Sequence, residues 1–191
     1  MNRWTETYTH KKVDIFDPDP NSICIEDIAH HLSIINRFAG AIREPYSVAQ
    51  HSVILSSFFG KEKTLDFDNS GSKLYALQAL LHDSAEAYIG DIPAPVKCAL
   101  NGYKEIENNL LKIIFNKFRV RWPLYYAIDV RDKQLCREEG RQLGKDVDMW
   151  HNYAEEEIGK LPWDIDIIPW NWRQAEGAFL TSFKRLTECW Y

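Results

Sequence analysis

The stretch Ala76-Leu77-Gln78-Ala79-Leu80-Leu81-His82-Asp83-Ser84-Ala85-Glu86-Ala87-Tyr88 limits most tightly what this chain can become. It is apolar enough to be core, yet it carries an imidazole and two carboxylates in close succession. Burying those groups without partners costs several kcal/mol or forces them to neutralise. A buried, hydrogen-bonded His-Asp pair would solve the problem. So would a divalent metal ion, for which His and Asp supply the N and O donors. Read as one helix over 73–89, capped by Ser72 and stopped by Gly90, the stretch places His82, Asp83 and Glu86 on one side.

The rest of the chain reads as helix around that segment. Residues 3–16 alternate (Thr5, Thr7, Thr9, then Val13 and Ile15), which predicts a short hairpin turning near His10-Lys11. Asp17-Pro18-Asp19-Pro20-Asn21-Ser22 is a loop by composition. Ile25, Ile28, Leu32 and Ile35 then recur at helical spacing and predict a helix over about 26–37, with Gly40 beyond it. Ser47-Val48-Ala49-Gln50 has the capping-box pattern, so a helix is expected from Val48 to about Phe59, with His51 in its first turns. A loop over 60–72 follows, and Asp91-Ile92-Pro93-Ala94-Pro95 forms a rigid turn after Gly90.

Further helices are expected over 103–118, over 124–143 in one piece or two behind Pro123, and over 171–188. The last buries Ala175, Phe179, Phe183 and Leu186, and 145–170 reads as irregular, with tryptophans among prolines. The expected fold class is therefore all-α, a helical bundle with a short N-terminal β-hairpin. It forms a single domain over 1–191: hairpin and loop (1–22), helical core (23–144), then the irregular segment and last helix (145–191).

Composition narrows the function. With 191 residues, 45% of them hydrophobic, the chain can bury a real core. Its apolar runs are too short to span a bilayer and Met1–Thr7 resembles no signal peptide, so a cytoplasmic protein without membrane partners is expected. A net charge of −5 argues against long nucleic acids as partners. Cys24, Cys98, Cys136 and Cys189 are scattered and read as free thiols. For a metal held by His82 and Asp83, His51 is the best third ligand, and Asp129 or Asp132 the fourth; spacing does not choose between them. Glu86 then lies within reach of a water at the metal and can take or give its proton. The alternative for Glu86 is a plain helix charge, and for Arg37 a surface salt bridge. His30 and His31 read as polar-face residues; His10 and His151 receive no role.

His51, His82-Asp83 and a distant Asp, all on helices, resemble the HD-domain metal-dependent phosphohydrolases. The similarity extends through Asp27-Ile28-Ala29-His30, Ile35-Asn36-Arg37-Phe38 and Tyr46-Ser47-Val48-Ala49-Gln50-His51-Ser52. It continues along Leu81-His82-Asp83-Ser84-Ala85-Glu86-Ala87-Tyr88-Ile89-Gly90-Asp91-Ile92-Pro93-Ala94-Pro95-Val96-Lys97. These strings are similar to the small bacterial and phage branch near the 5′-deoxynucleotidases and phage dATP triphosphohydrolases. The resemblance implies His51, His82, Asp83 and Asp132 as metal ligands, with Asp129 in reserve, and Glu86 and Asp91 as catalytic carboxylates. It implies Arg37, Phe38 and Lys97 as substrate-binding residues. The chain departs from the branch at Ala41-Ile42, where relatives have His-Thr, at Phe38 and Gln50, where the deoxynucleotidases have Trp and Glu, and at Arg131, where a small residue is usual.

The implied activity is cleavage of the 5′ phosphoester of a deoxynucleotide, leaning to dATP yielding deoxyadenosine and triphosphate, with Arg43 and Lys104 as further cations. The alternatives are a 5′-deoxynucleotidase acting on dNMPs and a nucleotide-binding regulatory module without turnover. The implied cofactor is a divalent ion (Mn²⁺, Co²⁺, Zn²⁺ or Fe²⁺), with Mg²⁺ accompanying the substrate phosphates. Relatives imply a homo-oligomer, in the host cytoplasm if the protein is phage-encoded.

Overall fold

The computed structural model describes residues 3–61, 69–150 and 155–188. His151, Cys189 and the middle of the expected 60–72 loop lie outside the described residues. The fold is all-α with one small hairpin. Strands β1 (Trp4–Glu6) and β2 (Lys12–Asp14) pair antiparallel, Thr5 opposite Val13, and the turn closes through Thr7 N to the Lys11 carbonyl. Buried Asp27 pins this turn to the first helix by accepting from Thr9 N at 2.7 Å and Thr9 Oγ1 at 2.8 Å.

Helix α1 (Ile25–Ile34) buries Ile28, Ala29 and Leu32. It ends three residues before the expected position, because Ile35 turns extended and Asn36 forms a β-bridge with Ser47. Val48 N then donates to the Ile35 carbonyl and Arg37 N to the Tyr46 carbonyl. Phe38 and Ala39 follow with φ of 57° and 50°. Residues with side chains hold that left-handed conformation only when their surroundings impose it.

Helix α2 (Val48–Lys61) lies at the centre, packed against α3 (Asn69–Leu81) and the last helix. Half of its expected capping box forms. Ser47 Oγ accepts from Gln50 N, but the Gln50 side chain turns away to the Ile168 carbonyl and Trp170 N. Ser72 is not an N-cap; its hydroxyl donates to the Phe59 carbonyl inside the α2–α3 pair.

The expected helix over 73–89 is broken. After Leu81 the chain passes through turns to α4 (Glu86–Ile89). Ser84 donates to the Leu81 carbonyl through both its backbone N, at 3.0 Å, and its hydroxyl, at 2.7 Å. Bonds of the tighter i to i+3 kind continue from Glu86 N to the Asp83 carbonyl and from Tyr88 N to the Ala85 carbonyl. Gly90, at φ 79°, closes α4.

Helix α5 (Ala94–Ala99) buries none of its residues, while α6 (Tyr103–Lys117) is anchored by Leu110, Leu111, Ile114 and Phe115. Helix α7 (Tyr126–Gln142) is a single piece that starts beyond Pro123, and α8 (Glu155–Ile158) interrupts the otherwise irregular segment. That segment is held by glutamines: Gln134 donates to the Ile158 carbonyl, and Gln142 both donates to the Ile165 carbonyl and accepts from Ile167 N. Side chains thus satisfy backbone groups that no helix serves. Helix α9 (Trp172–Thr187) carries a full Asn171–Gln174 capping box and buries Ala175, Phe179 and Leu186 against α1, α2 and α3; Phe183 is half-buried. Cys24, Cys98 and Cys136 are free thiols. No described helix is long and apolar enough to cross a membrane.

Candidate metal centre

Three elements bring the ligand candidates together. His51 comes from the first turn of α2, His82 and Asp83 from the turn after α3, and Asp132 from α7. His51, His82 and Asp83 each offer a donor atom within 4.8 Å of the others, a group that could hold a metal ion. Asp132 joins them, its Oδ1 3.0 Å from His51 Nε2 and 3.9 Å from His82 Nε2. Asp83 Oδ2 lies 3.1 Å from His82 Nε2 and 3.9 Å from His51 Nε2. Asp129, by contrast, is exposed and paired with Lys133 at 2.8 Å, so the structure brings Asp132 rather than Asp129 to the imidazoles.

The far side of each ring is already committed. His82 Nδ1 donates to the Ala79 carbonyl at 2.8 Å and His51 Nδ1 to Glu139 Oε1 at 2.7 Å. Such bonds orient an imidazole and leave Nε2 as the ligating atom. Both Nε2 atoms and Asp132 Oδ1 are buried without a well-aligned hydrogen bond among the described residues. The charges agree. Asp83, Asp132 and Glu139 face a single guanidinium, that of Arg37, which leaves two negative charges uncompensated when the imidazoles are neutral. A divalent cation would carry the missing charge.

Without that cation, protons take its place. Burial alone would lower the proton affinity of His82, but the adjacent Asp83 carboxylate overrides it and holds the pKa up to about 9. Burial would raise the pKa of Asp83, yet His82, His51 and Arg37 together hold it well below the usual carboxylate range. Asp132 is lowered in the same way, chiefly by His51 against burial.

Glu139 is the hub that the sequence reading missed. Fully buried, it accepts from His51, from the Tyr46 hydroxyl at 2.6 Å, and faces Arg37 Nε at 3.1 Å. Its signal was its place seven residues after Asp132 on one helix, two turns along the same face. Arg37 is nearly enclosed; besides Glu139 it faces Asp83 at 3.5 Å and Asp132 at 4.0 Å. The early end of α1 is what turns it inward. Phe38 lies beside it, its ring 5.5 Å from the guanidinium and 5.8 Å from the Trp150 ring.

Glu86 opens α4 and is buried. Its Oε1 accepts from Lys97 Nζ at 2.8 Å, and its Oε2 has no partner among the described residues. Burial raises its pKa well above the ordinary value, the Asp83 carboxylate raises it further, and Lys97 pulls the other way. A carboxyl with raised proton affinity and one unpartnered oxygen is suited to hold and release a proton. Asp91, half-buried, is also raised, by burial first and then by Asp83, with Arg37 opposing. Lys97 is shared with Glu107 at 2.9 Å, a second residue that the sequence reading passed over. Arg43 and Lys104 are exposed, and the Arg43 side chain packs across Gly144.

No protein-family model matches the chain. It is 33% identical to the Escherichia coli (strain K12) protein YfdR over 169 residues, which is 88% of this chain and 86% of YfdR. It is also 33% identical to a Rhodobacter capsulatus protein over 148 residues, 73% of this chain and 72% of that protein. Both relatives are described as uncharacterized. At that identity and coverage, the chain belongs to the family of YfdR and its Rhodobacter relative.

Proposed function

We propose that the protein is a metal-dependent phosphohydrolase of the HD type that cleaves the 5′ phosphoester of a deoxynucleotide. One observation carries the reading: two buried imidazole nitrogens lack aligned partners and face Asp83 and Asp132, while Glu86, three residues after Asp83, has a buried carboxylate oxygen without a partner among the described residues. His51, His82, Asp83 and Asp132 would hold the ion, whose donor set suits Mn²⁺, Co²⁺, Zn²⁺ or Fe²⁺. When bound, it supplies Lewis acidity toward the phosphoryl group and acidifies water.

The protein's own residues do the rest. Glu86 accepts a proton from the attacking water and returns one to the departing 5′ oxygen. Asp91 helps orient that water or the substrate. Arg37 offsets charge that builds on the phosphoryl oxygens, and its planar fork suits the task. Phe38 offers an apolar wall beside it. Water exclusion comes from the buried floor formed by His51, Glu139 and Tyr46.

The deoxynucleotide and the lean to dATP rest on the resemblance described above. A dNMP is the second reading, and one observation favours it. A triphosphate needs several free cations, whereas Lys97 is already shared by two carboxylates and Arg43 and Lys104 are exposed. The test is product analysis after incubation with Mn²⁺ or Co²⁺ and dAMP, dATP or dGTP. Release of phosphate or triphosphate together with the nucleoside is expected. Binding of nucleotides without turnover under every metal would replace this reading with the regulatory module.

A further inference from the structure

Lys97 has partners that a phosphate ligand would not need. Its ammonium lies 2.8 Å from Glu86 Oε1, 2.9 Å from Glu107 Oε1, and 5.7 Å from the centre of the Tyr103 ring. Two of its three donors therefore point at carboxylates. Even with Glu86 protonated the trio carries no net positive charge, which offers an incoming phosphate little attraction. The support for Lys97 is lopsided as well. Its own helix, α5, buries nothing, whereas α6 is anchored in the core by Leu110, Leu111, Ile114 and Phe115. Glu107, on α6, is the rigid end of the chain of contacts.

Glu86 is in turn asymmetric, with Oε1 tied to Lys97 and Oε2 buried and free of partners among the described residues. We propose that Lys97 is a positioning residue, held by Glu107, which fixes Glu86 through Oε1 and leaves Oε2 as the oxygen that exchanges protons with water. The inference rests on Glu86 being the proton-transfer group of the proposed hydrolase. It moves Lys97 out of the substrate's phosphate site, and it gives Glu107 an effect on rate although Glu107 touches no substrate.

Steady-state kinetics of the full chain loaded with Mn²⁺, on dAMP and dATP, tests this with Lys97→Met, Lys97→Arg, Glu107→Gln and the double variant Lys97→Met/Glu107→Gln. Lys97→Met should lower kcat by about 10- to 100-fold with KM little changed, the range for residues that support a reacting group. Lys97→Arg should recover much of that loss. Glu107→Gln should lower kcat by less, and should cost nothing further in the Lys97→Met background, because the two act in series. A raised KM at unchanged kcat would make Lys97 a phosphate ligand and overturn the proposal, as would independent losses in the double variant. If Lys97→Met does not fold, Glu107→Gln decides: a kcat loss at constant KM supports the relay and wild-type kinetics refutes it. A wild-type protein inert toward every nucleotide and metal overturns the functional reading itself. An active wild type with unaffected variants overturns only the relay.

Discussion

Around His51 every tie runs inward, whereas around Glu86 the ties run outward to the surface. His51 and Glu139 are fully buried, and the hub they form also takes in Tyr46 and Arg37. Glu86 is also buried, but what holds it is Lys97, a half-exposed side chain on a helix that buries none of its residues. The half that could hold a metal ion is thus set by the same packing that sets the fold. The half proposed to move the proton is set, among the described residues, by Lys97, whose anchor Glu107 lies on a third helix. Strength of support follows burial of the supporting group, since a pair in water is screened and a pair in the core is not.

The largest effects come from removing one key group in each half. His82→Ala and Glu86→Ala should both abolish turnover, but only the first should lose metal, as read by metal analysis of the purified variants beside the activity assay. Retained metal in His82→Ala, or full activity in either variant, would break the division into a ligand half and a proton-transfer half.

A stability comparison comes next. Glu139→Ala takes from buried Arg37 its nearest carboxylate and from His51 and Tyr46 their acceptor, and breaking a buried pair costs about 3–5 kcal/mol. Glu107→Ala removes a partner from a half-exposed lysine and should cost no more than about 1 kcal/mol. Denaturant titrations of the metal-free proteins measure both, and equal losses would show that the two halves are supported alike.

The pH dependence sharpens the contrast. The His82 pKa is raised from 6.5 to about 9 in the folded, metal-free chain. The stability this contributes is fully present below pH 6.5 and is lost as pH rises through about 9. Metal binding runs the other way, because the ion needs the lone pair that the proton occupies. Affinity for Mn²⁺ or Co²⁺ should therefore rise by about tenfold per pH unit toward pH 9, with proton release in calorimetry. A pH-independent affinity would remove His82 from the ligand set.

Much of this was legible in the residue pattern, and the failures share a cause. The three-and-four spacing located α1, α6 and α9. Periodicity could not see the breaks after Ile34 and Leu81, because apolar residues continue past both. Tertiary pairing with Tyr46–Val48 ends the first, and the Ser84 hydroxyl helps to end the second. The ligand candidates His51, His82, Asp83 and Asp132 do converge. The choice of Asp132 over Asp129 came from the resemblance and not from spacing; in the structure Asp132 shares a helix face with buried Ile128, Leu135 and Glu139. Glu107 left no comparable trace: a glutamate on an amphipathic helix reads as a solvated charge until the fold brings Lys97 against it.

The smallest expected effect probes the outward half at its least supported point. Val96 on α5 is 45% exposed, and no residue of that helix is buried. Val96→Ala should therefore change stability by no more than about 0.5 kcal/mol, as surface substitutions do. Leu80→Ala, in the fully buried part of α3 that leads into His82, should cost about 2–5 kcal/mol. Turnover by Val96→Ala should stay at the wild-type level, because Lys97 is fixed by Glu107 rather than by the packing of its own helix. A large stability loss at Val96 would mean that α5 is packed against something in solution, and the contrast between the two halves would then have to be redrawn around that contact.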